Sequence, residues 1–164
     1  MKNAIEALRT RRSIRTYADR PVDRAIIEEI VDCGRLAPTA MNDQPWDFVV
    51  VTGKEALASI PPMLGHAAYI ATSAFSVLVF SRATQYAVED CSAAIENLLI
   101  AAWAHGIGSC WVAGTQQAYA PVVAKKFGAP EDRQLIAIVS FGYAAEDPQV
   151  EKRTLADVLH WEKF

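Results

Sequence analysis

Arg11-Arg12-Ser13-Ile14-Arg15-Thr16-Tyr17 (RRSIRTY) is the stretch on which the reading of this chain turns. It follows Asn3–Thr10, a short segment that reads as a helix with Ile5 and Leu8 on one side, and it precedes a second helix. Within Arg11–Arg15, three guanidinium groups and a serine hydroxyl are thus concentrated in one connection. Guanidinium binds phosphate through paired hydrogen bonds, and a serine adds a neutral donor. Two readings of the segment stand side by side. One is a phosphate anchor; the other is a solvated basic loop, or one paired with Glu28 and Glu29.

The rest of the chain makes this segment stand out. Of the 16 basic residues, eight fall in the first 35 positions: Lys2, Arg9, Arg11, Arg12, Arg15, Arg20, Arg24 and Arg35. Only Lys54 and Arg82 lie between Leu36 and Ala124. The net charge is −3, so a broad nucleic-acid surface is not expected, and the pattern points to a local anion site. With 164 residues, 52% hydrophobic and 21% charged, one folded domain over 1–164 is expected. Cys33, Cys91 and Cys110 are odd in number, widely spaced and without a C-x-x-C, which suits free thiols in a reducing compartment. His66, His105 and His160 form no metal-spaced cluster with them. MKNAIEALRTRR lacks the apolar core of a secretion signal, and no apolar stretch has membrane-spanning length. A cytoplasmic protein without membrane contact is the expectation.

Periodicity supplies the elements. Asp23 is placed as the cap of a helix running to about Arg35, with Val22 as its staple and Ile26, Ile27, Ile30 and Val31 facing inward. Pro38 closes it, and Ala37–Pro45 reads as a loop. Trp46–Thr52 is rich in β-branched residues and reads as a strand. Lys54–Ile60 reads as a helix ended by Pro61-Pro62, and Phe75–Phe80 as a buried strand. Gln85–His105 is the longest helix, apolar on most sides and ended by Gly106 and Gly108. In so small a domain, a partner subunit is expected to cover part of it. Ser109–Val112, a helix over Pro121–Phe127, the strand Leu135–Tyr143 and a terminal helix Leu155–Trp161 complete the set. Helices and strands mix without strict alternation, which gives α+β.

Three further stretches can carry chemistry. Pro38-Thr39-Ala40-Met41-Asn42-Asp43-Gln44-Pro45-Trp46 is a polar loop stiffened by proline at both ends, able to meet the edge of a heterocycle or simply to connect helix to strand. Gly106-Ile107-Gly108-Ser109-Cys110-Trp111-Val112-Ala113-Gly114 lacks the Walker lysine and reads as a helix terminator leading into a strand whose small residues permit close backbone approach. Lys152-Arg153 precede the terminal helix, where two cations oppose its dipole unless an anion lies near. No Ser-His-Asp or Cys-His arrangement can be inferred; Cys110 reads as a small core residue and His105 as structural or surface.

Order and spacing say more than any one stretch. R-R-S-I-R-x-Y, then A-P-T-A-x-N-x-Q-P-W, then G-I-G-S-C-W, then K-R before the end, resembles the nitroreductase family of flavoproteins over nearly the whole chain. The resemblance implies a central, mostly antiparallel sheet flanked by helices, in an intertwined homodimer with FMN at the subunit interface. It implies that Arg11, Arg12 and Ser13 hold the phosphate end, joined by Lys152 and Arg153. It places Arg15 at the N1–C2=O edge of the flavin as electrostatic support. Pro38, Thr39, Ala40 and Asn42 would come from the other subunit to line the ring, and Val112, Ala113 and Gly114 would run beside N5. No protein residue is then catalytic, because the flavin N5 carries the chemistry. The activity implied is NAD(P)H-driven, ping-pong reduction of nitroaromatics, quinones or similar electron-poor small molecules.

The chain departs from the family in three ways. It is short, so insertions that cover the flavin are not expected. Ala113 stands where many relatives carry an acid. Met63–Thr72 offers the pyrimidine edge little beyond His66 and Tyr69. These departures keep open a flavin-binding or flavin-remodelling protein without efficient NAD(P)H oxidation, and a non-flavin protein binding a phosphorylated ligand through Arg11–Arg15.

Overall fold

The computed structural model describes residues 2–164. Four antiparallel strands form its sheet: β1 (Trp46–Val51), β2 (Phe75–Arg82), β3 (Gly108–Ala113) and β4 (Arg133–Gly142), in the order β1-β2-β4-β3. Strand alternation sends side chains to two cores. Phe75, Val77, Val79, Val139 and Phe141 face α2 (Arg24–Arg35) and α4 (Ala87–Ala104), where they meet Ile27, Ile30, Ile95 and Leu98. Leu78, Phe80, Leu135, Ile138 and Val112 face α3 (Lys54–Leu64) and α5 (Ala120–Lys126), against Leu57, Ile60, Leu64 and Val123. α1 (Ala4–Thr10) lies on α4, with Trp103 Nε1 donating to Thr10 Oγ1 at 2.8 Å. The architecture is α+β with a helix-flanked antiparallel sheet, as the sequence implied.

Several local readings are corrected. Pro61 and Pro62 do not end α3; they lie inside it. Their fixed φ is already helical; each forfeits its own N–H bond and crowds the carbonyl four residues back, and the burial of Leu57, Ile60 and Leu64 keeps the helix on the core despite that cost. The end comes at Gly65, with φ 75° and its N–H on the Pro61 carbonyl. Asp23 stands at the start of α2, yet its side chain makes no capping bond. Gly106, at φ 77°, ends α4, whereas Gly108 is the first residue of β3. The terminal helix shrinks to one 3-10 turn, Leu155–Asp157, in a segment exposed from Glu151 to Phe164. The spacing of Leu155, Val158 and Leu159 is helical, but none of the three is buried.

A bulge in β4 shapes the end of the sheet. Val79 pairs with Ala137 and Phe80 with Leu135, which leaves Ile136 unmatched. Its carbonyl accepts the N–H groups of Gly114 at 2.8 Å and Thr115 at 3.2 Å, turning the chain out of β3.

Candidate functional site

The arginine segment is built onto the outer edge of β3. Ser13 pairs with Ser109 in a parallel bridge, and the Ile14 N–H donates to the Ser109 carbonyl at 2.9 Å. Ile14 is fully buried, and it comes so close that a Cβ on Gly108 would lie 2.7 Å from its Cγ1. Gly108 therefore serves the approach of this segment. Tyr17 fixes the other end: its hydroxyl donates to the Ile14 carbonyl at 2.7 Å and bonds Ser140 Oγ at 2.8 Å, and burial pushes the phenol well above its ordinary range.

Around these anchors the charged side chains divide. Arg11 Nε lies 3.7 Å from the partly exposed Glu96, a weak engagement. Arg12 turns back and donates to the carbonyls of Arg11 at 2.8 Å and Arg9 at 3.2 Å, closing the end of α1. Glu28 and Glu29 are not partners of the segment, for they pair with Arg24 and His105. The Arg15 guanidinium lies beside the Tyr69 hydroxyl, which bonds the buried Cys110 thiol at 3.2 Å. Burial raises Tyr69 far above the usual phenol range, and Arg15 opposes part of the rise.

Glu146 was not legible in the sequence. Its carboxylate accepts the N–H groups of Arg15 and Thr16, the latter at 3.0 Å. Those bonds, Arg15 first, hold Glu146 below the ordinary glutamate range. Its contribution to stability is complete above the unfolded value of about 4.3 and is lost as pH falls through the lower folded value. Melting temperatures of wild type and Glu146→Gln are expected to differ at neutral pH and to converge as pH falls below the ordinary glutamate value of about 4.3. A gap independent of pH would show that the carboxylate charge plays no part.

Beyond Ser109 no described strand pairs with the outer edge of β3, where the Tyr119 hydroxyl donates to the Ala113 carbonyl. Gly114 N–H bonds inward to β4 and Ser109 C=O bonds outward to Ile14, so Trp111 and Ala113 direct their N–H groups along that outer edge. Val112 is buried in the α3–α5 core and Ala113 is exposed. Gly114 is small for an internal reason: a Cβ there would lie 2.8 Å from Leu135 Cγ and 2.9 Å from the Ile136 carbonyl carbon.

The remaining candidates lie apart from this edge. Pro38, Thr39, Ala40 and Asn42 belong to a loop tied to α4 by Asp90 Oδ1, which accepts the Ala40 N–H at 3.0 Å. Arg82 of β2 donates to the Asp43 carbonyl at 2.7 Å and to its carboxylate. Lys152 and Arg153 are exposed, and Arg153 donates to the Asp157 carbonyl within its own turn. With no terminal helix, the dipole argument for this pair falls away.

Comparison with known proteins gives this arrangement its relatives. Residues 8–79 and 67–143 match the nitroreductase family. A protein of Methanothermobacter thermautotrophicus, provisionally named an NADH dehydrogenase/NAD(P)H nitroreductase, is 32% identical over 99% of this chain and 88% of its own. The NADPH-flavin oxidoreductase of Vibrio harveyi is 25% identical over 97% of this chain and 73% of its own. The crystal structure of a provisionally named NADH dehydrogenase/NAD(P)H nitroreductase from Bacteroides thetaiotaomicron superposes with a TM-score of 0.93 at 28% identity, covering 100% of both chains. A match spanning the arginine segment, the proline-bounded loop and all four strands is membership: this chain belongs to the nitroreductase family.

Proposed function

We propose that this protein is an FMN-dependent oxidoreductase that takes electrons from NADH or NADPH and reduces electron-poor small molecules such as nitroaromatics and quinones. The observation that carries it is the donor set along one continuous edge. Arg11 and Ser13 stand at one end, Trp111 and Ala113 direct backbone N–H groups along the middle, and Arg15 lies in parallel register with the same strand. Guanidinium and hydroxyl donors suit a phosphate, while neutral N–H donors suit a heterocycle. The residues present therefore fit FMN. The relatives' names point to reduction with NAD(P)H over the flavin-remodelling alternative.

When bound, FMN supplies two-electron chemistry between the pyridine nucleotide and the acceptor. The chain's own work is binding and charge. Arg11, Arg12 and Ser13 anchor the phosphate, with Arg12 the least free of the three, and Lys152 and Arg153 join them. Arg15, steadied by Glu146 at its backbone N–H, supplies positive charge where the ring gains electrons. Val112 and Gly114 offer no free donor, since the Val112 side chain is buried, Gly114 has none, and both backbones pair with β4, so they serve only as the close-lying strand beside the ring.

The working unit is an intertwined homodimer of one-domain chains spanning 1–164, with Pro38, Thr39, Ala40 and Asn42 reaching the partner's flavin. Exposed Leu155, Val158, Leu159, Trp161 and Phe164, together with an apolar groove of Val22, Ile27, Phe48 and Val50 beside edge strand β1, support such an exchange. A cytoplasmic setting fits the three free cysteines, and no helix among the described residues is long and apolar enough to cross a membrane. The purified protein is expected to be yellow, or to become so with added FMN, and to bleach on anaerobic mixing with NADH or NADPH. A protein that binds no FMN overturns the proposal. One that binds FMN and bleaches with neither nucleotide is a flavin-binding protein instead.

A further inference from the structure

Asp90 stands in the first turn of α4 and is 6% exposed. Oδ1 accepts the Ala40 N–H at 3.0 Å, but Oδ2 is sealed from solvent without a hydrogen-bond partner. Thr84 Oγ1, just before the same helix, is also sealed and unpartnered. A half-satisfied carboxylate is a costly thing to bury, so its presence calls for a use outside the stability of α4. The segment it holds is strained. Met41, Asn42 and Gln44 have φ of 52°, 57° and 46°, left-handed values that side-chain-bearing residues rarely adopt. The Met41 side chain is 92% exposed, so its own packing does not impose that shape. Hydrogen bonds do. The Gln44 N–H donates to Thr39 Oγ1 at 3.1 Å, Arg82 grips Asp43, and Asp90 grips Ala40. The first acts within the loop, the second ties it to β2, and the third ties it to α4.

We infer that Asp90 is a positioning residue for cofactor binding, holding the Thr39–Asn42 loop through the Ala40 N–H in the shape in which it meets the ring of FMN. The inference rests on the FMN reading above. It makes the effect of Asp90 specific to the ring and indifferent to the phosphate, because the phosphate anchors lie on a different segment.

The test is titration of the apoprotein with FMN and, separately, with riboflavin, which lacks the phosphate. D90A is expected to bind both at least tenfold more weakly and to alter the visible circular dichroism of bound FMN. D90N keeps an acceptor for the Ala40 N–H; it is expected to stay within threefold of wild type and to keep the wild-type spectrum. Should D90A fail to fold, A40P removes the donor from the loop side, with the same tenfold loss expected. Thr39 is already extended (φ −136°, ψ 157°), as a residue before proline must be. D90A or A40P binding FMN within threefold of wild type, with an unchanged spectrum, overturns the inference. So does a D90N as weak as D90A, because the Ala40 bond is then not the route. A wild type that binds no flavin overturns the FMN reading and this inference together, whereas the preceding outcomes overturn the inference alone.

Discussion

The Arg11→Ala, Arg153→Ala double variant is expected to lose FMN binding by about 3–6 kcal/mol, with about 1.5–3 kcal/mol for each charged phosphate contact. The fold should survive, because neither side chain supports the core. Arg11 reaches only a partly exposed Glu96 at 3.7 Å, and Arg153 bonds a carbonyl in its own exposed turn. Surface pairs of this sort contribute roughly 0–1 kcal/mol. The loss should therefore appear in fluorescence titration of FMN and be nearly absent from thermal melts. Riboflavin binding should change little, which separates a phosphate anchor from general damage to the site. An FMN dissociation constant within threefold of wild type would remove both arginines from the site. Arg12 is left out because its guanidinium already serves the carbonyls at the end of α1.

Gly108→Val is expected to destabilise the protein by about 3 kcal/mol, the upper end of ordinary overpacking. The added Cβ alone would lie 2.7 Å from Ile14 Cγ1 and 2.9 Å from its Cβ, and valine adds two methyl groups. Ile14 has nowhere to go: it is fully buried, with its N–H held by Ser109 and its carbonyl by Tyr17. At roughly 2–4 °C per kcal/mol for a chain of this size, the melting temperature should fall by about 6–12 °C. FMN affinity should fall as well, because Ile14 anchors the arginine segment to β3. A melting temperature within 2 °C of wild type, roughly the shift of 1 kcal/mol or less, would mean that the segment yields without cost.

How far the sequence could be read depends on where each residue finds its partner. α2 and the strands were legible because their partners share one face at a fixed period, as with Ile27 and Ile30 or Phe75, Val77 and Val79. Pro61-Pro62 misled because proline usually marks an end, although φ near its fixed value is helical. The terminal helix misled for a different reason. Leu155, Val158 and Leu159 have helical spacing, but within one protomer they remain exposed. The arginine segment announced itself by concentration of charge. Glu146 did not, because what it recognises is backbone N–H, which no sequence pattern marks. Asp90 looked like an ordinary acid in the first turn of a helix, and only its burial and its bond to Ala40 distinguish it.

The clasp between Glu146 and the arginine segment also has a consequence in time. Its two ends are 131 residues apart in a chain of 164. During synthesis from the N-terminus, Arg15 emerges early and waits for β3, β4 and Glu146 before its surroundings exist. Contacts of such long range are slow to close, because the loop entropy is spent before the contact forms. The surroundings of the arginine segment are therefore expected to be among the last parts of the nascent protein to mature.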